Sequence, residues 1–401
     1  MDVVIGQTLS LMVVAIFVAI AARRLSLPYT VGLVLAGAAL AFSRHDTGLR
    51  LTHDIIFDVI LPPLLFEAAI NIPWQELRRD MVPVLVLSIV GVVISAAVVA
   101  LGMHWLMAWP VASALMFGVL IAATDPVAVI AMFKDTGLGG RLRLLVESES
   151  LFNDGVAAVL FGLAFAWTQG RADGTLDAGW SLITVSGGGV LLGLAAGLLA
   201  ILVAGRTGEH MVEAAVTGVA AYGAFLAAEA LHVSGVLATV SAGLLMGSVS
   251  IRGSTTKFGL SHQGRAFVLE LWEFAAFIAN SLVFLLIGLT VARVPYEKLG
   301  WTTLGVAIAL VLLGRAATVY PLSALFLRSR WRIGLREMHV LWWGGLRGAL
   351  ALALSLSLPD NLPLRDEIVI AAFAVVAFSV LVQGLSMTPL MRRLKLLPAR
   401  Q

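Results

Sequence analysis

The sequence predicts an all-α integral membrane protein, and three observations carry the prediction. Of its 401 residues, 60% are hydrophobic and only 13% charged, where a soluble domain carries roughly 25% charged residues. Apolar runs recur from the first residues almost to the last, each long enough, at roughly 20 residues, to cross about 30 Å of hydrocarbon. All but two of the 27 lysines and arginines fall in the breaks between those runs, which is how basic residues set membrane topology. No stretch is left over for a soluble domain.

Charged or Gly/Pro-rich breaks place spans near 3–22, 28–43, 54–72, 81–108, 112–133, 149–168, 181–204, 212–231, 233–249, 270–292, 300–327, 337–358 and 367–391, about thirteen in all. The first run lacks a basic leading region and a small-residue cleavage site, so it reads as a retained span and not a signal peptide. With the N-terminus outside and the C-terminus cytoplasmic, the inner loops hold nineteen basic residues. The outer loops hold six: Arg44, Arg50, Arg171, Arg293, Lys298 and Arg365. A miscounted span would invert every later loop and scramble this asymmetry. The net charge of +3 thus serves topology, and no nucleic-acid partner is expected. Zero cysteines exclude disulfides and thiol chemistry.

Thirteen spans divide as six, one and six, and six-span halves on either side of a single linking span are inverted relative to each other, as in many transporters. The repeats fall at about 1–170 and 210–395 of one membrane domain, with 181–204 as the link. Gly189, Gly193 and Gly197 give that link a small-residue face, read as close helix packing.

A charge held in hydrocarbon costs about 2.5–3.5 kcal/mol on insertion scales, so each needs a partner or a role. The densest set is Thr124-Asp125-Pro126 in the fifth span, followed by Glu149 to Gly155 in the sixth. Pro126 has no N–H and clashes with the preceding turn, so the helix is expected to break at Thr124 and Asp125. Freed carbonyls beside a carboxylate suit a hard cation such as sodium; the alternative is a plain proline kink with Asp125 capping the lower half-helix. On a helix, Ser150 and Asp154 share one face, and Glu149 and Asn153 share another about 100° away. The first pair is assigned to the ion, and the second to a supporting network that meets Arg347. Gly344, Gly345 and Gly348 around Arg347 suggest a second unwound span, the counterpart of the fifth.

These residues resemble the monovalent cation:proton antiporter family of the NhaP and NHE type, along the whole chain. The likeness includes Leu64-Leu65-Phe66-Glu67, Thr124-Asp125-Pro126, the Glu149–Gly155 block, Ala228-Glu229 leading to Ser234-Gly235, and Trp272-Glu273-Phe274. It continues through Arg315, Gly345-Leu346-Arg347-Gly348 and Gln383-Gly384-Leu385. The resemblance implies a cation bound by Asp154, Asp125, Ser150 and the Thr124 region, with Glu67 reaching it directly or through water. It implies two broken crossing helices in a core that moves against a dimerisation domain of a homodimer in the cell membrane, with no cofactor. The chain ends about ten residues past its last span, so regulation by the long cytoplasmic tail of the animal exchangers is not expected.

Arg315, mid-span and permanently charged, is expected to pair with an acidic residue and hold the bundle. Glu229 and Glu273 lie near span ends and read as local contacts outside the ion site. Lys134-Asp135-Thr136-Gly137 contains the tripeptide of aspartic proteases, but in a basic loop without a second copy, and reads as coincidence. No histidine spacing or P-loop points to an enzyme. The expected function is sodium/proton antiport with both ions competing for Asp154. Exchange is expected to be one-for-one and electroneutral, because Asn153 stands where the resembling electrogenic exchangers carry an aspartate. Potassium/proton antiport, a cation channel using the same carboxylate, and an intramembrane aspartyl enzyme using Asp125 with Asp154 are the alternatives.

Overall fold

In a bilayer every backbone polar group needs an internal partner, which a helix supplies. The computed structural model describes residues 2–25, 28–42, 51–170, 175–252 and 259–397, and among these there is no strand. Arg44, Arg50, Arg171, Lys257 and Arg400, assigned to loops from the sequence, lie outside the described residues. In chain order the helices are α1 (Asp2–Leu25), α2 (Tyr29–Phe42), α3 (Leu61–Asn71), α4 (Trp74–Leu85), α5 (Gly91–Met107), α6 (Val111–Leu120), α7 (Val127–Thr136), α8 (Arg141–Thr168) and α9 (Thr175–Ala204). There follow α10 (His210–Ala230), α11 (Gly235–Met246), α12 (His262–Val291), α13 (Trp301–Ala324), α14 (Leu335–Trp343), α15 (Ala349–Leu356), α16 (Arg365–Phe378) and α17 (Gly384–Arg393).

Among the described residues, seven helical runs are long and apolar enough to cross a membrane: Trp74–Met107, Arg141–Thr168, Gly179–Ala204, His210–Ala230, His262–Val291, Trp301–Ala324 and Arg365–Arg393. Shorter apolar helices occupy Leu11–Ala22, Tyr29–Phe42, Val111–Leu120 and Gly235–Ile251. Three helices begin seven or eight residues before the start that hydropathy gives them: α4 at Trp74, α8 at Arg141 and α12 at His262. Their first turns are charged but still helical, as in α8, where Arg143 pairs with Glu147 one turn on at 3.5 Å. Among the described residues, four π-helical turns, Ile55–Ile60, Val86–Val90, Gly247–Ile251 and Ser379–Gln383, lie beside or within these helices.

The chain forms two compact units with interleaved segments. The first comprises Met1–Ile56, Val82–Asn153 and Asn280–Gln401; the second comprises Phe57–Met81 and Asp154–Ala279. In the first, α2 and α12 meet so closely that a Cβ at Gly37 or Gly288 would strike the backbone of Leu285 or Val34. Loops that the charge pattern assigns to one side of the membrane meet there. Ser113 donates to the Pro363 carbonyl at 2.5 Å, and Arg141 donates to the carbonyls of Trp331 and Arg332 at 3.0 and 2.6 Å. In the second unit, Arg252 likewise donates to the carbonyls of Ile70 and Ile72 at 3.0 and 3.1 Å. Its core packs Phe66 and Ile70 of α3 with alanines of α9, α10 and α11 and with Trp272. The α9 glycines serve this packing: Gly189 and Gly193 face Ser234, the cap of α11, and Ala238 within it, with no room for a Cβ, and Gly197 faces Ala242 with little to spare.

Candidate functional site

The chemistry expected around Pro126 begins with a break in the helix. After α6 ends at Leu120 the chain runs non-helically through Ala123 to Pro126 before α7 resumes. A second break separates α14 from α15 across Gly344–Gly348. The two breaks touch, since the Asp125 N–H donates to the Leu346 carbonyl at 2.8 Å.

Each break leaves one half-helix with orphan carbonyls and the next with orphan N–H groups, carrying partial negative and positive charge respectively. The side chains present answer both. The Asp125 carboxylate accepts from the Val127 N–H at the start of α7, at 2.9 Å, and packs against Gly348, the residue just before α15. One carboxyl group therefore stands at the starts of two half-helices. This needs Gly348, because a Cβ there would overlap the Asp125 side chain. At the carbonyl ends stand cations and an amide. Arg347 Nη1 donates to the Ala122 and Ala123 carbonyls at 2.6 and 2.8 Å. Arg315 donates to the Leu341 carbonyl through Nε and Nη2, at 3.2 and 2.9 Å. Gln383, in the π-turn before α17, donates to the Trp343 carbonyl at 3.0 Å. A Cβ at Gly345 would lie 2.6 Å from Arg315 Nε, so the second glycine admits the guanidinium.

Helix α8 is joined to the first break by buried polar side chains. Asn153 Nδ2 donates to Thr124 Oγ1 at 2.6 Å, and Asn153 Oδ1 accepts from the Thr124 N–H at 3.2 Å. Thr124 Oγ1 also lies 3.0 Å from Ser150 Oγ. Thr124, Ser150 and Asn153 are 1–3% exposed. The two faces of α8 separated in the sequence reading thus converge on one threonine. Ser88, in the π-turn Val86–Val90, donates to the Glu149 carbonyl at 3.0 Å.

One assignment is corrected. The sequence reading paired Glu149 with Arg347, whereas the structure pairs it with Arg315: Nη1 and Nη2 meet Oε1 and Oε2 at 2.5 and 2.6 Å, a fork-on-carboxylate pair. Glu149 is 2% exposed and Arg315 6%. The reason is the break itself, whose freed carbonyls at Ala122 and Ala123 engage Arg347, while α13 carries Arg315 to α8. Arg315 thereby finds the acidic partner expected of it, and Asn153 Nδ2 completes the network 3.5 Å from Glu149 Oε1.

Asp154 follows Asn153 on α8 and is half-buried, one turn beyond Ser150. It falls in the second unit, as does Glu67. The Glu67 carboxylate accepts from Asn71 one turn later on α3, at 2.9 Å. Glu229 accepts from the Gly235 N–H at 3.3 Å, a local contact at the start of α11; Glu273 is exposed. Lys134 to Gly137 is a helix end, with Gly137 at φ +69° as the left-handed cap of α7. Sequence reasoning missed Ser88 and the part played by Gln383. A lone serine in an apolar run gives no signal, but an intramembrane amide such as Gln383 does. Among the described residues no three His, Asp or Glu side chains group as a metal cage. The crossing instead offers oxygens of one carboxylate and two hydroxyls, hard donors of the kind that coordinate sodium beside unwound helices.

Residues 11–393 match the family described as sodium/hydrogen exchanger, transmembrane. The chain is 40% identical to the Na(+)/H(+) antiporter ApNhaP of Aphanothece halophytica over 377 residues, covering 93% of this chain and 71% of that one. It is 32% identical to the Na(+)/H(+) antiporter NhaH of Halobacillus dabanensis, covering 97% of each. Its fold matches that of the sodium proton antiporter MjNhaP1 from Methanocaldococcus jannaschii, with a TM-score of 0.76 at 19% identity over 99% of both chains. The chain is a multi-pass membrane protein and belongs to the sodium/hydrogen exchanger family.

Proposed function

We propose that this protein is a secondary sodium/proton antiporter in which the two ions compete for Asp154. The observation that carries the reading is the touching pair of broken helices, with Asp125 between two helix N-termini and α8 bonded to the break through Thr124. Asp125, Thr124 and Ser150 supply further oxygens to sodium, and Glu67 a second carboxylate on its path. A bound cation requires the charged carboxylate and a bound proton excludes it, so competition is itself the coupling and no other energy source is needed. Glu149, Asn153, Arg315 and Arg347 hold the crossing. Asn153 is a neutral amide, so one sodium replaces one proton and exchange is electroneutral. The two breaks support a pair of inverted repeats, and the loop charges support an outside N-terminus and a cytoplasmic C-terminus. The family resemblance read from the sequence supports a homodimer in the cell membrane that works without a cofactor. Purified protein in vesicles, given only an imposed pH gradient, should trap radioactive sodium against its concentration gradient, and Asp154→Asn should abolish this. Sodium entry that stops at equilibrium, or survives in Asp154→Asn, would refute the reading.

A further inference from the structure

The charge pattern and the ion site leave one built feature unused, the segment 325–336 between α13 and α14. It is ordered by its own hydrogen bonds. Ser329 Oγ donates to the Phe326 carbonyl at 2.9 Å and accepts from the Trp331 N–H at 3.1 Å, and Glu337 accepts from the Gly334 N–H at 2.7 Å. Phe326 and Ile333 anchor it inward at 8% and 0% exposure. Arg141 Nη1 and Nη2, at the start of α8, clamp the carbonyls of Arg332 and Trp331. What this frame turns outward is basic and apolar together. Arg328, Arg330, Arg332 and Arg336 are exposed, and among the described residues none is paired with a carboxylate. Arg330 lies over the Trp331 ring at 4.5 Å. Leu325, Leu327 and Leu335 beside them are 71%, 41% and 66% exposed. At 24 residues and 1.5 Å per residue, α13 spans about 36 Å, so the segment following it emerges at headgroup depth.

We propose that this segment is a binding platform for anionic phospholipid headgroups, with the arginines on the phosphate and the leucines and Trp331 against the upper acyl chains. An acidic peptide would satisfy the arginines but not the leucines; a lipid satisfies both. Because the platform joins α13, α14 and α8, which carry Arg315, the second break and Glu149, a bound headgroup steadies the elements that hold the crossing.

The test uses full-length protein in neutral detergent, where both faces are open, so it depends on neither sidedness nor transport. Short-chain phosphatidylglycerol is titrated in and read as a rise in melting temperature, with short-chain phosphatidylcholine, inorganic phosphate and polyglutamate as separate arms. Only phosphatidylglycerol should raise the melting temperature. The triple variant Arg328→Gln/Arg330→Gln/Arg332→Gln should melt as the unsubstituted protein does without lipid. Its apparent affinity for phosphatidylglycerol should fall about a hundredfold, at roughly fivefold per arginine. Arg392→Gln/Arg393→Gln/Lys395→Gln, which removes another exposed basic cluster, should lose at most a few-fold. An equal shift with phosphate or polyglutamate would overturn the proposal. So would an equal loss in the two triple variants, or an unchanged affinity in the first.

Discussion

Arg315→Ala is expected to destabilise the protein more than any other single change at the crossing that leaves the ion ligands in place. Two losses add. The Glu149 carboxylate, 2% exposed, loses both of its short bonds and keeps only the 3.5 Å approach of Asn153. Breaking a buried pair from one side costs about 3–5 kcal/mol. The Leu341 carbonyl, which accepts twice from the same guanidinium, adds about 1–3 kcal/mol if it is left unsatisfied. Glu149→Gln in the Arg315→Ala background removes the stranded charge and should recover most of the first loss, so the two changes are strongly non-additive. Equilibrium unfolding in detergent of the two single variants and the double variant measures this coupling. Additive effects, or an Arg315→Ala variant as stable as the unsubstituted protein, would refute the pairing.

Gly348→Ala places a Cβ on the Asp125 side chain; at the usual overpacking cost of about 1–3 kcal/mol it should lower stability and raise the sodium KM, read by melting and uptake assays. Asp125→Asn should raise the sodium KM or abolish exchange, while Ser150→Ala should weaken affinity and spare turnover; unchanged kinetics in both would remove these residues from the site. Arg347→Ala strands the Ala122 and Ala123 carbonyls and should lower the melting temperature together with activity, so an inactive variant of full stability would contradict its bracing role. In vesicles with a fixed sodium gradient, the final pH gradient should be independent of a membrane potential clamped with potassium and valinomycin; dependence would mean net charge moves and Asn153 does not set the stoichiometry.

Both breaks were legible because their causes are local: a proline that cannot donate at 126, and glycines at 344, 345 and 348 that leave backbone room. The partner of Glu149 was not. Two arginines lie mid-span, each close to free carbonyls, and the choice rests on α13 approaching α8 across 166 residues of sequence. No spacing rule reaches that far. Ser88 was hidden for a related reason, since its π-turn shifts the side chain out of 3.6-residue register. The link between Glu67 and Asn71 was readable in principle, being one helical turn. The early starts of α4, α8 and α12 escaped because hydropathy detects the membrane-facing part of a helix and not its charged first turn. The glycine face of α9 read correctly as packing, since small residues in membrane helices serve close approach.

Competition between sodium and protons for one carboxylate is tested most directly by the apparent sodium KM for exchange, measured in vesicles across a series of pH values with symmetrical buffers. If both ions bind the same group, KM rises about tenfold for each unit of pH below the site's own titration, because each proton-occupied carboxylate is lost to sodium. Saturating sodium restores the same maximal rate until proton binding itself becomes limiting. A sodium KM that stays constant with pH while the maximal rate falls would place the proton at a separate group and contradict the account.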